Sequence, residues 1–385
     1  MDKYTAVWNY PTTIYFGAGR LNDIASCCTI INAKNPLLVS DRFLSEQPCF
    51  QQIIDILKKN TIHHGVYLDV AANPTLVNVL NGLKQFRDHK HDAVICFGGG
   101  SVLDAGKAIA LMAKQTHELW EFEDKGDNYL KVNTKGIAPS IAIPTASGTG
   151  AEVGRVAVIL DEEQKRKKLI FHPDLIANIV IADPELTFSL PAHLTAATGL
   201  DAFTHNLEAY CSPAYHPIAD GISIDAMMKI FNYLPIAYTM PNNLEARTHM
   251  LSASIMGATA FQKGLGAVHA LAHPLGAHYG KHHGLLNAVL LPYVLQHNLP
   301  AIEHKLEFLC KIFSLPNPSG ATFIDWIVKL RHELEIPNTL SDIGIPITDL
   351  DLISNEAFLD ASSATNPTIW SVEDYHQVLN RAITG

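Results

Sequence analysis

Along the first half of the chain, short apolar runs rich in β-branched residues alternate with longer stretches whose apolar residues recur every three to four positions. Runs at residues 13–16, 36–40, 62–67, 93–97, 140–144 and 179–182 predict strands. Most are followed by a helical pattern, and that alternation predicts a parallel sheet flanked by helices. Residues 153–160, just ahead of Asp161 and Glu162, predict one strand of an excursion hairpin. The pattern changes near Pro184. From Pro191 onward it is helical in period and broken by Pro and Gly, with helices expected near 219–233 and 244–261. The expected fold is therefore a parallel α/β N-terminal domain, residues 1–184, followed by an all-α C-terminal domain, residues 185–385.

With 385 residues, 48% hydrophobic and 17% charged, the chain is long and apolar enough for two cores and too apolar for disorder. The formal net charge of −10 and the single short basic run, Lys165 to Lys168, argue against nucleic acid or an anionic membrane as partner. That run is expected on a solvated loop. The first residues, MDKYTAVWNYPTTIYFG, lack a leader-like apolar core, and no uncharged stretch spans a bilayer, so a cytoplasmic protein is expected. Six cysteines without C-x-x-C spacing are expected to be reduced and mostly buried.

Two glycine-containing loops carry candidate chemistry. DAVICFGGGSVLDAGKAIALMA reads as strand, loop and helix, with Gly98, Gly99 and Gly100 permitting close backbone approach to a phosphate. Ser101 is expected to cap that helix, and Asp104 to lie in its first turn. The spacing fits neither a G-x-G-x-x-G nor a Walker loop, so a plain capped turn is equally compatible. A second loop, IAIPTASGTGAEVGR, follows another strand and offers Thr145, Ser147 and Thr149 for a pyrophosphate and a nicotinamide. Two such loops after parallel strands point to one crevice at the sheet's carboxyl edge. In PLLVSDR, Asp41 could accept from ribose hydroxyls and repel a 2′-phosphate, which favours NAD over NADP. Arg42 beside it argues the other way, and a simple loop acid is the plain alternative for Asp41.

The strongest signal lies in LGAVHALAHPLGAHYGKHHGLLN, where five histidines fall within the fifteen residues from His269 to His283. Upstream, GLDAFTHNLEAY sets Asp201 and His205 four apart on one helix face. His269 and His273 share a face in the same way, and Pro274 is expected to break or kink the helix directly after them. His278 and His282 read as ordinary hydrogen-bonded histidines. One carboxylate with up to three imidazoles suits a divalent transition metal and leaves a coordination position for substrate.

GGGSVLDAGKAI, PTASGTGAEV, GLDAFTHNLEAY and GAVHALAHPLGAHYGKHHGLLNAVLLPYV together resemble the iron-dependent (group III) alcohol dehydrogenases, in matching order over nearly the whole chain. The resemblance implies an α/β Rossmann-like N-terminal domain, a helical C-terminal domain and an active site in a cleft between them, with Asp201, His205, His269 and His283 as metal ligands and His273 as a nearby proton-relay group. It places the pyrophosphate on Gly98 to Ser101 with Asp104 in support, Thr145 and Thr149 toward the nicotinamide, and Asn73 and Asp41 toward the adenosine. Gly106 and Gly154 depart from the more usual Ala and Thr, and either Lys167 or Lys168 takes the lysine role near the cofactor. The implied reaction is hydride transfer between NAD(H) and a small alcohol, diol or hydroxy acid whose oxygen sits on the metal, Fe2+ ahead of Zn2+. Glycerol dehydrogenase and dehydroquinate synthase share a related metal and NAD fold; the HALAHPLGA segment speaks against the lyase. A purely structural metal would not need two phosphate-suited loops. A homodimer is expected, with TTIYFG pairing across a two-fold axis.

Overall fold

The structure is a computed structural model and describes Tyr10 and residues 12–385. Residues 1–9, part of the leader comparison above, lie outside the described residues. Contacts divide the chain into two compact units, one of Tyr10–Ala146 with Gly150–Ser189, the other of Ser147–Thr149 with Leu190–Gly385.

The first unit is built on a six-stranded sheet in the order β1-β8-β5-β4-β2-β3. The strands are β1 (Thr13–Phe16), β2 (Leu37–Val39), β3 (Gly65–Tyr67), β4 (Val94–Gly98), β5 (Ser140–Pro144) and β8 (Ile179–Ala182). All neighbours pair in parallel, with Leu38 opposite Ile95 and Ile95 opposite Ile141. Every residue of β2, β4, β5 and β8 is buried. Helices cover both faces of such a sheet, which is why its strands read as continuous apolar runs rather than alternating ones. The helices are α1 (Ile24–Ile30), α2 (Arg42–Ser45), α3 (Pro48–Lys59), α4 (Leu76–Asp88) and α5 (Gly100–Met112). The chain runs outward from β2 to β3 and then returns across β2 to β4, so the loops after β2 and β4 diverge at a topological switch point.

Two expectations change here, and the expected excursion hairpin is present. Residues 62–64 are not strand, because Ile62 N–H closes the end of α3 on Leu57 O (3.0 Å). The excursion is the antiparallel pair β6 (Val156–Asp161) and β7 (Arg166–Phe171). Of the basic run, Lys165 lies in the exposed turn as expected, whereas Arg166, Lys167 and Lys168 belong to β7. Strand alternation turns Lys168 inward, where its ammonium lies 2.7 Å from Asp161 Oδ2 and over the Trp120 ring.

The second unit contains α6 (Ala192–Cys211), α7 (Pro217–Thr239), α8 (Leu244–Ala260), α9 (Ala267–Tyr279), α10 (His283–Ile312), α11 (Gly320–Glu333), α12 (Leu350–Leu359) and α13 (Val372–Thr384). α6 is buried from Thr195 to Cys211 and packs against α7, α8 and α10. α9 runs through Pro274 to Tyr279, contrary to the expected break. Proline forfeits one N–H and hence one helical bond, and burial of Ala267 to Ala272 and of Pro274 to Gly276 holds the segment helical despite it. The helix ends at Gly280, whose φ of 65° is left-handed, and α10 then starts at His283. Among the described residues, no helix is long and apolar enough to cross a membrane, and all six thiols are free.

Candidate metal centre and nucleotide-facing loops

Within the helical unit, one ligand atom from each of Asp201, His205, His269 and His283 lies within 4.8 Å of all the others. Asp201 Oδ1 stands 3.8 Å from His205 Nε2, 3.9 Å from His269 Nε2 and 3.7 Å from His283 Nε2. A tetrahedral ion with bonds of about 2.1 Å separates its ligand atoms by about 3.4 Å, so this donor set closes on a small divalent cation with little movement. Asp201, His205 and His269 are buried, an arrangement that is costly for a carboxylate unless a cation or strong hydrogen bonds offset it.

Local structure explains the convergence. Asp201 and His205 project from one face of α6, His269 enters on the first turn of α9, and His283 is the first residue of α10. Gly284 makes the last approach possible. A Cβ there would lie 2.5 Å from Ala197 O, so any side chain would push the start of α10 away from α6.

Three supporting groups escaped the sequence reading. Glu208, seven residues after Asp201 and so on the same face of α6, accepts the His269 Nδ1–H at 2.6 Å. It also accepts the N–H groups of Gly266 (2.9 Å) and Val268 (2.8 Å), which tie down the start of α9. With Nδ1 carrying the proton, His269 Nε2 presents its lone pair to the cluster. Asn287, one turn beyond His283, donates to Asp201 Oδ1 at 2.7 Å. Asp360 lies 2.8 Å from His273 Nδ1 and also accepts from Ser362 N. The i+7 and i+4 spacings of Glu208 and Asn287 were available signals. Asp360, 87 residues from His273, left none.

Electrostatics follow burial. Burial drives His205 down to about 4 against the pull of Asp201, leaving a neutral ring at neutral pH, the form a metal requires. For His269 burial also acts downward, but the Glu208 carboxylate outweighs it and the net direction is up. Burial would raise the Asp360 carboxyl, yet His273 holds it below its ordinary value. His273 stands outside the four-donor cluster, its ring stacked at 5.5 Å on that of His283. His278 is paired with Glu356 at 2.9 Å.

In the α/β unit, Gly98 ends β4, Gly99 is the N-cap of α5 and Gly100 its first residue. No side chain caps this helix, and a Cβ on Gly99 would meet nothing within 4 Å, so the start of α5 is open to an anion. Ser101 does not cap it. Its hydroxyl donates to Ala72 O at 2.5 Å, beside Asn73, so the segment carrying Asn73 is tied to α5. Asp104 lies beyond the first turn, because the helix begins only at Gly100. It is salt-bridged to Lys107 (3.0 Å) and accepts from Val158 N (3.1 Å), joining α5 to the hairpin. Burial raises its carboxyl, opposed by Lys107 and, more weakly, by Lys167. Lys168 is engaged by Asp161, whereas the charge of Lys167 acts on the Asp104 carboxyl.

Thr145 N donates to Gly98 O at 3.1 Å, and Ser40 Oγ to Phe97 O at 2.8 Å, which stitches the carboxyl ends of β2, β4 and β5 together. Asp41 caps α2 by accepting from Leu44 N at 2.8 Å, and Arg42 pairs with Asp69. Ser147 and Thr149 group with the helical unit; the Ser147 hydroxyl is buried without a protein partner.

The sequence matches the description "Iron-containing alcohol dehydrogenase" over residues 11–184 and "Fe-containing alcohol dehydrogenase family, C-terminal" over residues 195–383. The chain belongs to the iron-containing alcohol dehydrogenase family. It is 35% identical to a 4-hydroxybutyrate dehydrogenase of Cupriavidus necator, covering 97% of this chain and 99% of that one. A crystal structure of 1,3-propanediol oxidoreductase superposes with a TM-score of 0.93 at 31% identity, covering 98% of this chain and all of the other. A sulfoacetaldehyde reductase from Bifidobacterium kashiwanohense, solved in complex with NAD+, gives a TM-score of 0.88 at 26% identity over 99% of this chain and 100% of that one. As a member of this family, the chain is a metal- and nicotinamide-dependent alcohol dehydrogenase.

Proposed function

We propose that Asp201, His205, His269 and His283 hold one divalent metal, iron ahead of zinc, and that the enzyme interconverts a small alcohol, diol or hydroxy acid with its carbonyl partner using NAD(H) rather than NADP(H). The observation that carries this reading is the convergence of one carboxylate oxygen and three imidazole nitrogens within 4.8 Å. The similarity to 4-hydroxybutyrate and 1,3-propanediol dehydrogenases supports the substrate class. Iron follows the family; zinc stands second because the donor set suits it equally.

A divalent ion bound there would supply Lewis acidity to the substrate oxygen. The protein's own groups prepare the site. Burial keeps His205 neutral, and Glu208 fixes the His269 tautomer. Asp360 holds His273 Nδ1, leaving Nε2 as the atom that takes or returns the proton. The uncapped start of α5 with Gly98, Gly99, Gly100 and Ser101 serves the pyrophosphate. Thr145, Thr149 and the unpartnered Ser147 hydroxyl serve the nicotinamide, Asn73 and Asp41 the adenosine, and Lys167 is the lysine that faces the cofactor. A homodimer through the outer edge of β1, the terminal strand of the sheet, belongs to the same reading and is checked by light scattering.

The test is NADH-linked absorbance on metal-free protein reconstituted anaerobically with Fe(II) or Zn(II), over short alcohols, diols, hydroxy acids and their carbonyl partners. Metal-dependent turnover that prefers NADH to NADPH supports the reading. Stoichiometric metal binding without turnover on any of them, or equal turnover without metal, overturns it.

A further inference from the structure

Asn287 is fully buried, and its amide nitrogen lies 2.7 Å from Asp201 Oδ1 and 3.2 Å from Nε2 of both His269 and His283. It therefore touches three of the four atoms of the donor cluster while supplying none of them. Its oxygen is buried without a partner. The acceptors around one end of the carboxamide fix that end as the NH2, since the reversed amide would set two acceptor oxygens against each other. The same contacts require a lone pair on His269 Nε2, in agreement with the proton that its Nδ1 donates to Glu208. An unpaired buried oxygen is a cost that an apolar side chain of equal size would avoid, so the function of this amide lies at its nitrogen.

We propose that Asn287 is a positioning residue for the metal. Its N–H holds the Asp201 carboxylate with one oxygen turned into the cluster. Before a cation arrives, the amide hydrogens stand between lone pairs that would otherwise repel, and so keep the donors at ligand spacing. Once the two imidazole nitrogens are engaged by metal, the bond to Asp201 remains. The inference rests on the metal reading above.

The experiment uses the full chain, stripped of metal by chelation and titrated with Co(II) against a competing chelator, with visible absorption recorded and urea unfolding of the metal-free protein followed in parallel. Asn287→Leu removes the donor while keeping the number and branching of side-chain heavy atoms. It is expected to weaken Co(II) binding by about 10- to 100-fold, the range for lost hydrogen bonds to metal ligands, with the metal-free protein still unfolding cooperatively at a somewhat lower urea midpoint, since buried Asp201 loses a donor. Equal affinity in wild type and Asn287→Leu, or a loss matched by a collapsed midpoint, overturns the positioning role. Failure of the wild type to bind Co(II) overturns the metal reading itself, so the two are told apart. Should Asn287→Leu not fold, Asn287→Asp decides. A carboxylate there loses the donor to Asp201 and sets a second negative charge beside it, so the Co(II) spectrum and affinity must both change, and a spectrum and affinity like wild type overturn the proposal.

Discussion

Glu152 follows the loop that carries Ser147 and Thr149 and is 1% exposed, with one carboxyl oxygen lacking any partner. Burial raises it from 4.5 to about 7, against the opposing effects of its own backbone N–H and of Lys107. A carboxyl that binds its proton more tightly when folded makes the native state the more protonated one between these values. Its contribution is fully present below about pH 4.5, is lost as pH rises through about 7, and is constant above. At about 1.4 kcal/mol per pH unit, the span from 4.5 to about 7 corresponds to about 3 kcal/mol. Glu152→Gln removes the titration. Its second amide N–H finds no acceptor, which costs about 1–3 kcal/mol at every pH, so the slope rather than the absolute stability is diagnostic. Urea unfolding from about pH 4.5 to about pH 8 should show wild type losing about 3 kcal/mol more than Glu152→Gln, with the divergence complete near neutrality. Parallel profiles for the two proteins would refute a buried, proton-retaining Glu152.

Further outcomes concern the metal and the nucleotide. Glu208→Gln retains an acceptor for the start of α9 but loses the charge that fixes the His269 tautomer. Metal affinity by chelator competition should fall about 10- to 100-fold, and an unchanged constant would remove Glu208 from the support of the site. His269→Ala should lose metal and activity together, whereas His273→Ala should keep its metal and show a slowed or pH-shifted rate; equal loss of bound metal in both would abolish the distinction between ligand and relay. Asp41→Ser keeps the cap on Leu44 N while deleting the negative charge, and should narrow the preference for NADH over NADPH. An unchanged selectivity ratio would leave Asp41 with its capping role alone.

Much of this protein was written along the chain itself. The strands at 140–144 and 179–182 stand where their apolar runs placed them, because a parallel sheet covered on both faces needs uninterrupted burial. Asp201 with His205 was legible because helical geometry alone puts residues four apart on one face. Local rules failed where another partner, from an adjoining helix turn or from a distant segment, competes for the same atoms. Residues 62–64 open with β-branched Ile62, but its N–H is taken by Leu57 O; Pro274 could have broken the helix, but buried neighbours hold α9 together. Ser101 and Asp104 were expected to serve the start of α5 and instead bond Ala72, Lys107 and Val158.

The sequence by itself thus determined the two structural classes, the candidate donors and the loops suited to phosphate, since each depends on periodicity or spacing within one element. Only the tertiary structure decided that Glu208, Asn287 and Asp360 support those donors, that Lys168 is engaged by Asp161, and that Gly284 lets α10 reach α6. Those outcomes depend on hydrogen-bond distances of about 3 Å between separate elements, and no pattern along a single chain encodes which elements come that close.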